Sequence, residues 1–164
     1  MKYFLLSCLL MLSVNAVAGS ASVHWLGIED YTDLKGGDGV KEDQYANEFF
    51  TLIEKEIKNI STSVLPSDYT MVIAIRDVDL AGDLSLVSYF GNQKLVRVIA
   101  DEQPPRLNIS YAILDKDGNE ITSNAEIITD KKFRFRTNRN NGFAHERRTL
   151  RQWLTADLKE RLKS

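Results

Sequence analysis

The side chains best suited to chemistry are the carboxylates gathered in Arg76-Asp77-Val78-Asp79-Leu80-Ala81-Gly82-Asp83. Three aspartates within seven residues, Asp77, Asp79 and Asp83, could offer hard oxygen ligands to calcium or magnesium, and a bound ion could support hydrolysis. The spacing departs from a calcium loop, because Ala81 stands where a third ligand is wanted and no Glu closes the run. The competing reading is a polar strand exit whose aspartates cap turn amides while Val78 and Leu80 point back to the core. The turn Asp115-Lys116-Asp117-Gly118-Asn119 also looks like part of a calcium loop, yet Asp-Gly between two alternating runs is explained by hairpin geometry alone. Gly36-Gly37-Asp38-Gly39 lacks the Lys-Ser/Thr of a phosphate loop. Neither His24 nor His145 belongs to a zinc-binding spacing, and no Gly-x-Ser-x-Gly elbow is present. No catalytic residue is assigned and no cofactor is expected. The balance tips away from an enzyme.

Charge is divided unevenly along the chain. Residues 19–130 carry 9 basic and 20 acidic side chains, a net of −11, whereas residues 131–164 carry 11 basic and 3 acidic, a net of +8. The basic part includes Lys132, Arg134 and Arg136, which would share one face of a strand while Phe133 and Phe135 face the core. Such a stripe could hold a polyanion, for example anionic lipid headgroups or lipopolysaccharide phosphates. It could equally pair with the acidic body of the same molecule.

The elements that must position these residues begin after a leader. Met1-Lys2-Tyr3, the apolar run Phe4 to Val14 and the Ala16-Val17-Ala18 end have the form of a secretory signal, with cleavage expected after Ala18. Residues 1–18 are thus expected to be removed, and residues 19–164 to form one exported α+β domain, periplasmic or secreted. The only cysteine, Cys8, belongs to the leader, so disulfides and thiolate sites are not expected afterwards. The composition, 43% hydrophobic and 27% charged, is that of a globular chain, not a disordered one. No apolar run reaches the roughly 20 residues of a spanning helix. Export makes nucleic acid the least expected partner and leaves an envelope protein or an anionic envelope component as candidates.

Strands are expected near 22–28, 69–78, 94–100, 106–114 and 120–128, with an extension over 132–136. Tyr45, Phe49, Leu52, Ile53, Ile57 and Ile60 mark an amphipathic helix over 41–60, and Leu150, Trp153, Leu154, Leu158 and Leu162 a second over 143–162. The order β-α-β-β-β-β-α predicts a two-layer α+β sandwich. Its mainly antiparallel sheet of four to five strands would have both helices on one face.

Three stretches resemble a known family: Asp77 to Asp83; Pro104-Pro105-Arg106 leading into Ile109-Ser110-Tyr111; and Glu146-Arg147-Arg148 with Leu150 and Trp153. They are similar to a bacterial family of exported proteins, the domain-of-unknown-function 3016 family, over nearly all of residues 19–164. His145 departs from the aromatic, such as Tyr, expected there. The resemblance implies no reaction, ligand or catalytic residue. Read physically, Asp77 and Asp79 could meet Arg106 from a neighbouring strand or Arg148 from the last helix, with Glu146 nearby, as a polar brace. The expected function is a non-enzymatic binding or accessory role in the cell envelope; the alternative is a divalent-metal hydrolase or calcium-stabilised domain using Asp77, Asp79 and Asp83.

Overall fold

The computed structural model describes residues 19–100, 102–133 and 142–162; the leader, Arg134 and Arg136 lie outside them. Its elements run β1 (Ser20–Trp25), α1 (Glu42–Val64), β2 (Thr70–Asp79), β3 (Asp83–Tyr89), β4 (Asn92–Val98), β5 (Arg106–Leu114), β6 (Glu120–Thr129) and α2 (Ala144–Gln152). The second helix continues through a π-helical stretch, Trp153–Leu158, into α3 (Lys159–Arg161). The result is the expected α+β fold, but its strands divide into two sheets. One is four-stranded in the order β1-β2-β5-β6, the other is the hairpin β3-β4.

Connection length explains the pairing. A helix joins β1 to β2, so those strands lie parallel, while β2, β5 and β6 pair antiparallel. The chain stays beside β2 after leaving β1: the Leu26 N–H donates to Ile75 O at 3.0 Å and the Asp33 N–H to Val78 O at 2.8 Å. A bulge between Ile75 and Asp77 places one extra residue in β2. Ile75 and Val78, three apart, therefore both turn inward, opposite Ile109 and Leu107.

The core lies between the four-stranded sheet and the helices. Phe49, Ile53 and Ile57 of α1 and Leu150, Trp153, Leu154 and Leu158 of the second helix meet Met71, Ile73, Leu107, Ile109, Tyr111 and Ile113. Phe49 touches three other rings edge-on, with centroids 5.8 Å from Trp25, 6.1 Å from Phe50 and 5.0 Å from Phe143. In the π-helical stretch the wider turn keeps Trp153, Leu154 and Leu158 all on the buried side. Among the described residues no helix is long and apolar enough to cross a membrane.

The expected strand extension over 132–136 is not seen at its described residues, and β6 turns polar side chains toward the helices, each for a physical reason. Residues 131–133 form a turn, not a strand, with Phe133 buried and the Lys132 N–H donating to Asp130 Oδ1 at 3.0 Å. In β6, Thr122, Asn124 and Glu126 take the helix side, opposite Ile113, Tyr111 and Ile109, and leave Ala125 and Ile127 on the open face. The helix side is polar at this edge because Glu126 accepts from Trp153 Nε1 at 3.1 Å and from Arg161 at 2.6 and 3.0 Å. Asn124 also caps its own neighbour, Oδ1 accepting the Ala125 N–H at 2.8 Å.

Candidate functional site

The three aspartates that could have held a metal have separate surroundings. Asp77 takes the Thr32 N–H at 2.7 Å and the Thr32 hydroxyl at 2.8 Å, which fastens the segment after β1 to the end of β2. Asp79 stands opposite Arg106 across β2 and β5. Burial pushes its carboxyl above the ordinary value, Arg106 opposes this, and Asp33, Asp77 and Asp83 reinforce it. Asp83 opens β3 and is exposed. Among the described residues no group of three or more His, Cys, Asp or Glu side chains is arranged to hold a metal ion.

Glu146 and Arg148 go elsewhere. Glu146, 3% exposed, reaches from the first turn of α2 to accept the Ala81 N–H at 2.8 Å, so the last helix holds the Asp77–Asp83 stretch through backbone. Arg148 lies beside His145, where burial first and the Arg148 charge second hold the imidazole below its ordinary value. Asp79 and Arg106 thus face each other across the strands, while Glu146 meets Ala81 and Arg148 lies by His145.

What Glu146 does meet is a group of residues that the sequence did not single out. Arg97, near the end of β4, donates twice to Asp33 at 2.6 and 2.9 Å, to Gly82 O at 2.9 Å and to Lys35 O at 2.8 Å. Burial works against the Arg97 charge, and Asp33 and Tyr45 together more than offset it. Tyr45 of α1 borders the same group, its phenol pushed up by burial against the opposing Arg97 charge. Gly82 closes the arrangement with φ +72°, and a Cβ there would sit 2.2 Å from Val98 O. Asp38 adds a clasp, its N–H donating to Leu95 O at 2.8 Å and its Oδ2 accepting the Leu95 N–H at 2.8 Å. These contacts root the β3-β4 hairpin in the body.

Burial pushes the Glu146 carboxyl up, Ala81 and Arg97 opposing. The fold therefore keeps a proton that the unfolded chain gives up. The stability from this group is fully present below its ordinary value of 4.5 and is lost as pH rises through the raised folded value. Glu146→Gln, which keeps an acceptor for Ala81, should show a shallower decline over that window. Urea unfolding of both proteins across the pH range checks this; equal slopes would contradict it.

The basic segment is partly spent on the body. Glu56 of α1, 5% exposed, accepts from Arg147 at 3.2 and 3.4 Å and from Arg151 at 2.8 Å, joining the two helices. Arg161 is taken by Glu126. Lys132 is exposed in its turn.

Beyond its root, the hairpin carries apolar side chains into solvent. Leu86 is 66% exposed and Phe90 90% exposed, and Val87 and Val96 are exposed as well, as are Val98 and Ile99 at the root. Phe90 (φ +47°) and Gly91 (φ +82°) make the two-residue turn between Tyr89 and Asn92. The first position of such a turn favours Asn, Asp or Gly, and a left-handed conformation at Phe costs roughly 1–2 kcal/mol. The fold thus bears backbone strain to set a phenyl ring at the apex. The sequence signal was Phe90-Gly91 between two runs of β-formers.

No curated protein and no solved structure matches the chain. A family model matches residues 19–156, from just before β1 into the π-helical stretch, and so contains the Asp77–Asp83 segment, the rooted hairpin and Glu146. On that match the chain belongs to the family described as protein of unknown function, DUF3016.

Proposed function

We propose that this protein is exported, loses residues 1–18, and serves the cell envelope as a non-enzymatic binding or accessory module whose working part is the β3-β4 hairpin. The observation that carries the reading is a hairpin with exposed apolar side chains held outside the main sheet by a half-buried arginine fork, with Phe90 at its strained apex. Binding surfaces expose apolar groups that folding would otherwise bury. Asp77 and Glu146 hold a loop and a turn. The leader supports export.

Photocrosslinking in intact cells tests the reading. A photoreactive residue at Leu86 should yield an adduct, whereas the same residue at Asp117, in the β5-β6 turn, should not. The purified periplasmic protein should begin at Gly19. Retention of the leader on a cytoplasmic protein, or equal labelling at both positions, would overturn it.

A further inference from the structure

The β3-β4 hairpin has a feature that separates one kind of partner from another: it exposes apolar side chains on both faces, Leu86 on one and Val87 and Val96 on the other, with polar Ser88, Gln93 and Asn92 between them and the apex. Cross-strand pairing puts Leu86 with Leu95 on one face and Ser85 with Val96 and Val87 with Lys94 on the other, and Phe90 caps the end. A docking surface for a protein is ordinarily one face, with the reverse left polar for water. A hairpin immersed at its tip in lipid is surrounded by the same medium on every side, and so gains from apolar groups all round.

Charge agrees. Residues 19–130 contain 20 carboxylates, yet none falls in the 17 residues from Leu84 to Ala100. The charged side chains in that stretch are Lys94 and Arg97, and Arg97 is committed to Asp33. Lys94 pairs with Val87, three residues back from the apex, and at roughly 3.3 Å per residue this places it about 10 Å from the tip. Apolar faces of interfacial segments settle about 5–10 Å into the boundary between headgroups and acyl chains. At that depth Phe90 enters the apolar layer, Val87 and the Lys94 ammonium reach the level of the phosphates, and Leu86, four residues back from the apex, meets the headgroups. Asp83 and Asp38, at the root, remain in water.

We infer that the β3-β4 hairpin is a lipid-interface anchor that dips its tip into an anionic phospholipid bilayer. This rests on the binding role proposed above and names the partner of that same hairpin.

The test uses residues 19–164, which hold every described element and, Cys8 being gone, no cysteine. Ser88→Cys and, as control, Asp117→Cys are each labelled with an environment-sensitive fluorophore. They are mixed with vesicles of phosphatidylethanolamine and phosphatidylglycerol. The expected result is a blue shift at position 88 and none at 117. Phe90→Asn supplies a residue the turn prefers, and with melting read alongside to confirm the fold its partition coefficient should fall about tenfold or more. Leu86→Ser, about 13 Å from the tip, should lower partition by less. No shift at position 88 would overturn the anchor. So would partition that survives Phe90→Asn and Leu86→Ser and answers only to salt, which would assign binding to the basic segment. An adduct at Leu86 in cells that has the mass of a protein, with no vesicle partition, would leave the binding role standing and remove the lipid.

Discussion

Arg97→Ala should lower the stability of the fold by roughly 2–3 kcal/mol and set the β3-β4 hairpin loose from the body. Arg97 gives four hydrogen bonds, two to Asp33 and one each to the carbonyls of Gly82 and Lys35. Alanine leaves a largely buried carboxylate and two carbonyls without their donor. Removing one partner of a buried pair costs about 3–5 kcal/mol, reduced here because the side chains keep 15% and 19% of their exposure. Arg97→Lys keeps the charge but not the planar fork and should fall between the two. Urea unfolding measures the total, and amide exchange should show hairpin amides accelerating ahead of those in β2 and β5. A loss below about 1 kcal/mol, or exchange that rises uniformly, would mean that the fork does not root the hairpin.

Phe49→Ala should have the largest effect of any single change considered, about 3–5 kcal/mol. The ring is fully buried, and it is the one that Trp25, Phe50 and Phe143 all meet. Its loss opens a cavity where α1, β1 and the start of α2 converge, and rigid aromatic neighbours cannot collapse to fill it. For a domain of this size the melting temperature should fall on the order of 10 °C. Ile127→Ser, on the open face and 64% exposed, should change stability by less than about 0.5 kcal/mol. Similar losses in the two variants would put the core on the wrong face of the sheet.

The legible part of this fold is what one-dimensional period records. Phe49, Ile53 and Ile57 at four-residue steps, and Leu107, Ile109, Tyr111 and Ile113 at two-residue steps, mark elements whose buried side follows from the pattern alone. The strand β3 escaped because Leu84-Ser85-Leu86-Val87-Ser88 puts apolar residues on both faces and has no alternation to read. In β6 the alternation was plain but its direction was not. Ile127 outward and Glu126 inward fit the same pattern as the reverse, and Trp153 and Arg161 settle it. The site followed the same logic. Asp77 and Glu146 are visible as chemistry in the sequence, but their partners, the Thr32 and Ala81 amides, are backbone groups that no residue type announces. Asp33 and Arg97, 64 residues apart, come together only once the loop after β1 has run alongside the end of β2.

The bond from the Ala125 N–H to Asn124 Oδ1 matters most when many copies of this protein share a small compartment. Among the described residues β6 has a neighbour on one side alone, ten residues long and with Ile127 outward. An edge of that kind is a template on which like chains stack into fibrils. With Asn124 already filling the Ala125 donor, an incoming strand must give up a bond before it gains one. The amide acts as a gatekeeper against self-assembly, and it leaves the apolar hairpin as the surface free to be sticky.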